Sequence, residues 1–160
     1  MYFDMDKRGI EVEELPPDQI IGAITEGRLQ GGIVSLVDTF DLDDSLRTVS
    51  GFCIATIAQA GSAKLHSKAP IGELTGANIA VPEEAPTAVK LLQVLLSVKH
   101  GVKPGAYVGP DDPHDAQLMV GNLGLRHRRG FRGFEHTFDL GEEWTRWTSL
   151  PFVFARWVMR

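Results

Sequence analysis

The order in which two hydrophobic periods follow one another restricts the folding of this chain more than any other feature. From Gly9 to Phe40, "GIEVEELPPDQIIGAITEGRLQGGIVSLVDTF" alternates around Glu11, Val12 and Glu13, then places Ile20, Ile21 and Ile24 at helical spacing, then runs through the apolar "GGIVSLV". A period of two, a period near 3.6 and a continuous run predict a strand, a helix and a strand buried on both sides. Pro17 suits the first helical position, and Gly27 suits the helix end.

The alternation continues. "SGFCIATIAQAGSAKLHS" (Ser50 to Ser67) reads as a long extended segment interrupted near Gly61, "PIGELTG" as a short helical turn, and "NIAVPE" as a parallel-type strand. "APTAVKLLQVLLSVKHG" is a helix with Val89, Leu92, Leu95 and Leu96 along one stripe. "YVGPDDPHDAQLMVGN" supplies turn residues and then the buried strand "AQLMVGN". Strands alternating with helices imply an α/β fold with mostly parallel sheets, whose ligands sit beyond the carboxyl ends of the strands. At 160 residues and 43% hydrophobic, the chain can build a core for one domain or two small interleaved lobes.

Composition excludes several classes of function. The charged opening, "MYFDMDKRGIEVEELPPDQ", does not resemble a secretory signal, and no apolar run approaches the length of a membrane span, so a soluble cytoplasmic protein is expected. The lone cysteine, Cys53 between Phe52 and Ile54, forbids a disulfide within the chain and is expected to be a core thiol. A net charge of −5 argues against nucleic-acid binding, and "LRHRRGFRGFEH" (Leu125 to His136) reads as a solvated basic loop. The five histidines have no metal-ligand spacing, so no metal is expected, and no phosphate loop, nucleophile elbow or dinucleotide fingerprint occurs.

Three strand ends run into small or polar turns: Ser35 and Asp38 in "IVSLVDTF", Thr87 and Ala88 in "IAVPEEAPTAVKLL", and Gly121 and Asn122 in "LMVGNLGL". The helix start near Thr87 offers unpaired amides to an anion, although Thr87 capping its own helix explains the same letters. "AGSAKLHSK" admits a ligand close to the backbone at Gly61 and Ser62, with Lys64 or Lys68 to offset its charge; a solvated strand edge is the alternative.

"FCIATIAQAGSAKLHSKAPIGEL", "IAVPEEAPTAVKLLQVLL", "DAQLMVGNLGLRHRRG" and "FDLGEEWTRWTSLPFVFARWVMR" resemble, in that order, the chorismate dehydratase family of the futalosine route to menaquinone, related to dihydroxynaphthoate synthase. The resemblance spans roughly residues 10 to 160, and "LPFVFA" favours the dehydratase branch. It implies a fold like that of type 2 periplasmic binding proteins. Residues 1–52 and 133–160 would then form a first lobe, incomplete relative to the family pattern, and residues 53–132 a second.

The implied reaction removes water from chorismate to leave an enolpyruvyl-benzoate, without metal or organic cofactor. The resemblance places Ser62, Thr87, Ala88 and Asn122 at the substrate, the strand end at Ser35 and the small-residue turn at Gly61 are expected to join them, and no catalytic base is identified. Asn122 stands where the family has aspartate and cannot ionise; Ala88 stands where it has a hydroxyl. Alternatives are a non-catalytic module for small carboxylates and a partner subunit on the same fold. An incomplete lobe leaves an open edge, so a homo-oligomer is expected, in the form of a dimer exchanging "EWTRWTSLPFVFARWVMR". The expected ligand is a small carboxylate; no nucleic-acid or membrane partner is expected.

Overall fold

The computed structural model describes residues 8–40, 42 and 44–160, so the first part of the charged opening lies outside the described residues. Two sheets form the framework. In the three-stranded sheet, β1 (Gly31–Ser35) and β2 (Arg47–Thr56) flank β8 (Phe152–Met159). The five-stranded sheet has the order β5 (Ala106–Val108), β4 (Asn78–Ala80), β6 (Ala116–Met119), β3 (Lys64–Ser67), β7 (His136–Asp139). Four helices accompany them among the described residues: α1 (Pro17–Thr25), α2 (Pro86–Val94), α3 (Gly121–Arg126) and α4 (Leu140–Thr148).

Parallel pairing is confined to β5–β4–β6, and every other pairing in the two sheets is antiparallel, so the α/β fold has mixed sheets. The cause lies in the returns. Residues 57–63, between β2 and β3, and residues 149–151, between α4 and β8, carry the chain between the sheets, and a strand that comes back from the other sheet runs against its neighbours. β8 illustrates this: Gly31 pairs with Met159, Ser35 with Ala155, and Thr56 with Phe152. The tryptophan-rich ending thus forms helix α4, with Trp144 and Trp147, and the central strand β8, with Trp157.

Helix α1 begins at Pro17 and ends before Gly27, whose φ of 79° is the left-handed conformation that stops a helix without strain. Ile24 and Val34 are fully buried against each other's element together with Leu46 and Val158. β1 is buried on that face alone, because Ile33 and Ser35 on the other face line a cavity. The alternating stretch after Gly9 forms no strand: Ile10 and Val12 are about half exposed, and no described strand lies beside it to accept its hydrogen bonds.

The larger core belongs to the five-stranded sheet. Leu91, Leu92, Leu95 and Leu96 are buried there, and the helix continues past Val94 as a π turn over Leu95–Lys99. Lys99 Nζ lies 2.6 Å and His100 Nε2 2.9 Å from Glu143 of α4, tying that turn to the next helix. Burial raises the Glu143 carboxyl, but Lys99 and His100 outweigh it and hold the group below its ordinary value. Helix α4 stops at Ser149, which takes the left-handed φ of 59° before Pro151.

Cys53 corrects an expectation. It is exposed, because β2 is an edge strand and Cys53 borders an open groove rather than the core. Among the described residues no helix is long and apolar enough to cross a membrane.

Leu95 is fully buried and Leu150 is 57% exposed, which sets two expected outcomes in urea denaturation. Leu95→Ala lowers stability by about 2–5 kcal/mol through lost burial and the cavity left behind. Leu150→Ser stays within about 0.5 kcal/mol of the parent.

Candidate functional site

A cavity of about 320 Å³ opens between the two sheets. β1 contributes Ile33 and Ser35, the end of β2 contributes Ile54 to Thr56, and β8 contributes Phe154 and Ala155. The other wall is the turn before β3 (Ala60, Ser62, Ala63), the start of α2 (Glu84 to Ala88) and the Val120–Gly121 turn after β6.

Five residues singled out from sequence share this cavity: Ser35, Ser62, Thr87, Ala88 and Gly121. Gly61 and Asn122 do not line it. The amide of Gly61 donates to Asp139 Oδ2 at 2.8 Å, and its φ of 73° shapes the turn that presents Ser62. Asn122 is exposed, and the preceding Gly121 lines the wall, its φ of 58° turning the chain into α3. Asp38 also stays outside; burial pushes its carboxyl upward.

The start of α2 is uncapped by any side chain: Ala85 is the N-cap residue, and Pro86 follows at the first helical position. The hydroxyl of Thr87 does not cap its own helix. It lies 2.5 Å from Ser35 Oγ and accepts from the amide of Val37 at 3.2 Å, joining the helix to the end of β1. First-turn amides and the positive end of the helix dipole thus sit at the cavity wall, where they favour an anion. Thr87 and Ala88 are buried, so an anion there is shielded from water on the protein side.

Sequence reasoning overlooked the residue that holds the opposite wall. Asp139 caps α4 by accepting from the amides of Gly141 and Glu142 at 2.9 and 3.1 Å, and it accepts from Ala60 and Gly61, each at 2.8 Å. Lys64 Nζ completes the set at 2.8 Å from Oδ2, with side-chain exposures of 10% and 2%. Lys64 is therefore committed to Asp139, and Lys68 to the carbonyl of His114 and the carboxylate of Asp115. Neither cation lines the cavity, and β3 is an interior strand rather than a solvated edge. The legible signal for Asp139 was the "FDLGEE" pattern, an aspartate directly before an acidic first turn.

Among the described residues, Glu84 is the one ionisable side chain on the cavity wall. His66 is fully buried elsewhere, with Nδ1 3.1 Å from Thr137 Oγ1 and Nε2 unpartnered; burial, then His127 and Lys64, lower its pKa. Among the described residues no group of three or more His, Cys, Asp or Glu could hold a metal ion.

A family model described as menaquinone biosynthesis matches residues 1–160. Among solved structures, protein AF1704 from Archaeoglobus fulgidus superposes with a TM-score of 0.62 at 18% identity, over 99% of this chain and 62% of that one. The periplasmic aliphatic sulphonate binding protein SsuA from Escherichia coli superposes with a TM-score of 0.63 at 16% identity, over 97% of this chain and 57% of that one. The architecture is that of the periplasmic-binding-protein type, and the chain spans about three fifths of the length of both structures.

Two substitutions separate the roles at the walls. Asp139→Asn leaves Lys64 buried without its counter-charge and costs about 3–5 kcal/mol in chemical denaturation. In the parent, burial would raise the Asp139 carboxyl, but Lys64 and the amides of Ala60, Gly61 and Glu142 hold it below its ordinary value. Its contribution is complete above the unfolded aspartate pKa of about 4 and disappears as pH falls through the lower folded value. An acid-unfolding curve that is flattened below that pH in Asp139→Asn is the expected signature. Thr87→Val removes one hydroxyl and keeps the amide, and is expected to lower the melting temperature by the equivalent of about 1 kcal/mol.

Proposed function

The chain belongs to the menaquinone biosynthesis family, and we propose from that premise that its cleft holds a chorismate-like dicarboxylate and eliminates water from it, leaving an enolpyruvyl-benzoate. The observation that carries this reading is the uncapped start of α2 opening onto the same cavity as Ser62 and Ser35. One carboxylate lies against the amides of Thr87 and Ala88, where backbone donors and the helix dipole act together. The hydroxyls of Ser62 and Ser35 are within the same wall and orient the polar edge of the ring. Ile33, Ile54 and Phe154 supply the apolar surface for its carbon face.

The chemistry suits a site of this kind. Elimination removes a ring proton and a hydroxyl group as water, and the freed electron pair completes an aromatic ring, so the driving force resides in the substrate. The protein's task is to hold the dianion in the eliminating geometry and to keep it from competing rearrangements. Glu84 is the protein carboxylate on the wall that could take the proton. SsuA, which shares the architecture, is by its name a binder of aliphatic sulphonates, so the scaffold accommodates small organic anions.

The sparse ionisable lining favours one second reading, a module that binds small carboxylates without transforming them. Ultraviolet spectroscopy and thermal melting together discriminate the two. Chorismate incubated with the protein, with no metal added, is expected to lose its absorbance and yield the enolpyruvyl-benzoate. A melting shift without turnover supports the binding module, and neither turnover nor shift overturns both readings.

Ala88→Pro withdraws one first-turn donor, an N–H that has no intrahelical acceptor. Chorismate affinity is expected to fall about tenfold, the order of one charge-assisted hydrogen bond. Thr87→Val, which keeps its amide, is expected to hold affinity within about threefold because a lost hydroxyl partner is not a lost anion donor. Isothermal titration at neutral pH checks both.

A further inference from the structure

We propose that the groove on the far side of Thr87 is a second binding site, for a small amphiphilic anion: an aromatic or branched apolar body carrying one carboxylate or sulfonate. The groove encloses about 710 Å³ and is bounded by β2, β8, α2 and Trp144 of α4. It shares Thr87 with the cleft and no other lining residue. Its volume falls within the roughly 300–1,000 Å³ typical of small-molecule sites, which are largely apolar with a few fixed polar groups.

Phe52, Leu91, Val94 and Phe152 make apolar walls, and the charged groups on the lining are Lys90 and Arg156, with no carboxylate among them. Of the described cations, Lys64, Lys99 and Arg146 each face a carboxylate, whereas Arg47 and Arg160, like the two in the groove, have no carboxylate partner among the described residues. Among the described residues neither Lys90 nor Arg156 has an ion pair, and the guanidinium of Arg156 donates to the Thr48 hydroxyl at 3.4 Å. Arg156 is half-buried beside aromatic and aliphatic walls, and among the described residues no carboxylate opposes it. An anion seated there supplies the opposing charge, and the planar fork of arginine matches the oxygen geometry of a carboxylate or sulfonate. Concavity and this charge pattern both favour a compact anionic ligand over a second copy of the chain, which would need about 800 Å² from each partner.

The test uses two fluorescent probes with the same rings, 8-anilino-1-naphthalenesulfonate and its neutral counterpart N-phenyl-1-naphthylamine. The sulfonate is expected to bind one per chain, saturably, and about tenfold or more tighter than the neutral probe, as expected for a charge-assisted contact. In Lys90→Gln/Arg156→Gln the affinity for the sulfonate falls to that for the neutral probe, whose own affinity does not change. Lys90→Gln alone, at an exposed helix position, gives a partial loss and guards against misfolding of the double variant. Equal affinity for the two probes, unsaturable binding, or sulfonate binding unchanged in the variants overturns the proposal. So does a dimer in sedimentation velocity that excludes the probe and dissociates in Phe52→Glu.

Discussion

Five donors converge on the carboxylate of Asp139, and the passage of the chain between its two sheets is built around that group. Two of the donors, the amides of Ala60 and Gly61, precede β3 on the outward crossing; two more, from Gly141 and Glu142, follow β7 on the return. Lys64 closes the set from the first residue of β3. A buried ion pair taken alone is weak evidence for stability, since desolvation offsets much of the attraction. Its importance here is positional. The crossings approach so closely that a Cβ on Gly141 would lie 2.7 Å from Ala60 N and 2.9 Å from Ala58 O. Two backbones at that distance need a shared acceptor, and Asp139 provides it.

The same node explains why Ser62 faces the cleft. The turn from Ala60 to Ser62 is held from one end by Asp139 and backed at the other by α3, where a Cβ on Gly124 would lie 2.3 Å from the carbonyl oxygen of Ser62. Ser62 is thus set by two contacts distant in sequence, one from residue 139 and one from residue 124. Its hydroxyl is placed by backbone packing and can be spent on a ligand.

Distance along the chain separates what was legible from what was not. Helix α1, helix α2 and the strands β1, β4 and β6 could be read because their signals are local: a period, a proline at the start, a glycine at the end. The extended segment interrupted near Gly61 was legible for the same reason, appearing as β2, a turn and β3. The stretch after Gly9 has the local pattern of a strand and no neighbour to pair with, so pattern alone misled. Cys53 was expected inside because its neighbours are apolar, but burial depends on what covers an edge strand. β5 is three residues among turn formers and gave no period to read. Of the cleft, the residues at Ser35, Ser62, Thr87 and Ala88 were legible as strand ends and a helix start. The pairing of Asp139 with Lys64 was not, because the long stretch of chain between them carries no record of it.

Thr87 shows how a position can matter through its backbone while its side chain does something else. The hydroxyl is engaged with Ser35 and the Val37 amide, so it joins α2 to β1 across the two sheets. What remains for an anion at this helix start is the amide row, which any residue but proline supplies. The alanine at position 88 is then no defect: a site that grips with N–H groups needs small side chains that let a carboxylate approach, and alanine is smaller than serine. Selectivity follows from the same construction. Backbone donors and a helix dipole recognise negative charge at a fixed point, with no cationic side chain on the wall to attract anions indiscriminately. In the proposed reading the shape of the apolar wall around Ile33, Ile54 and Phe154 is then what discriminates among carboxylates, and substitutions there alter which acid is held more than whether one is held.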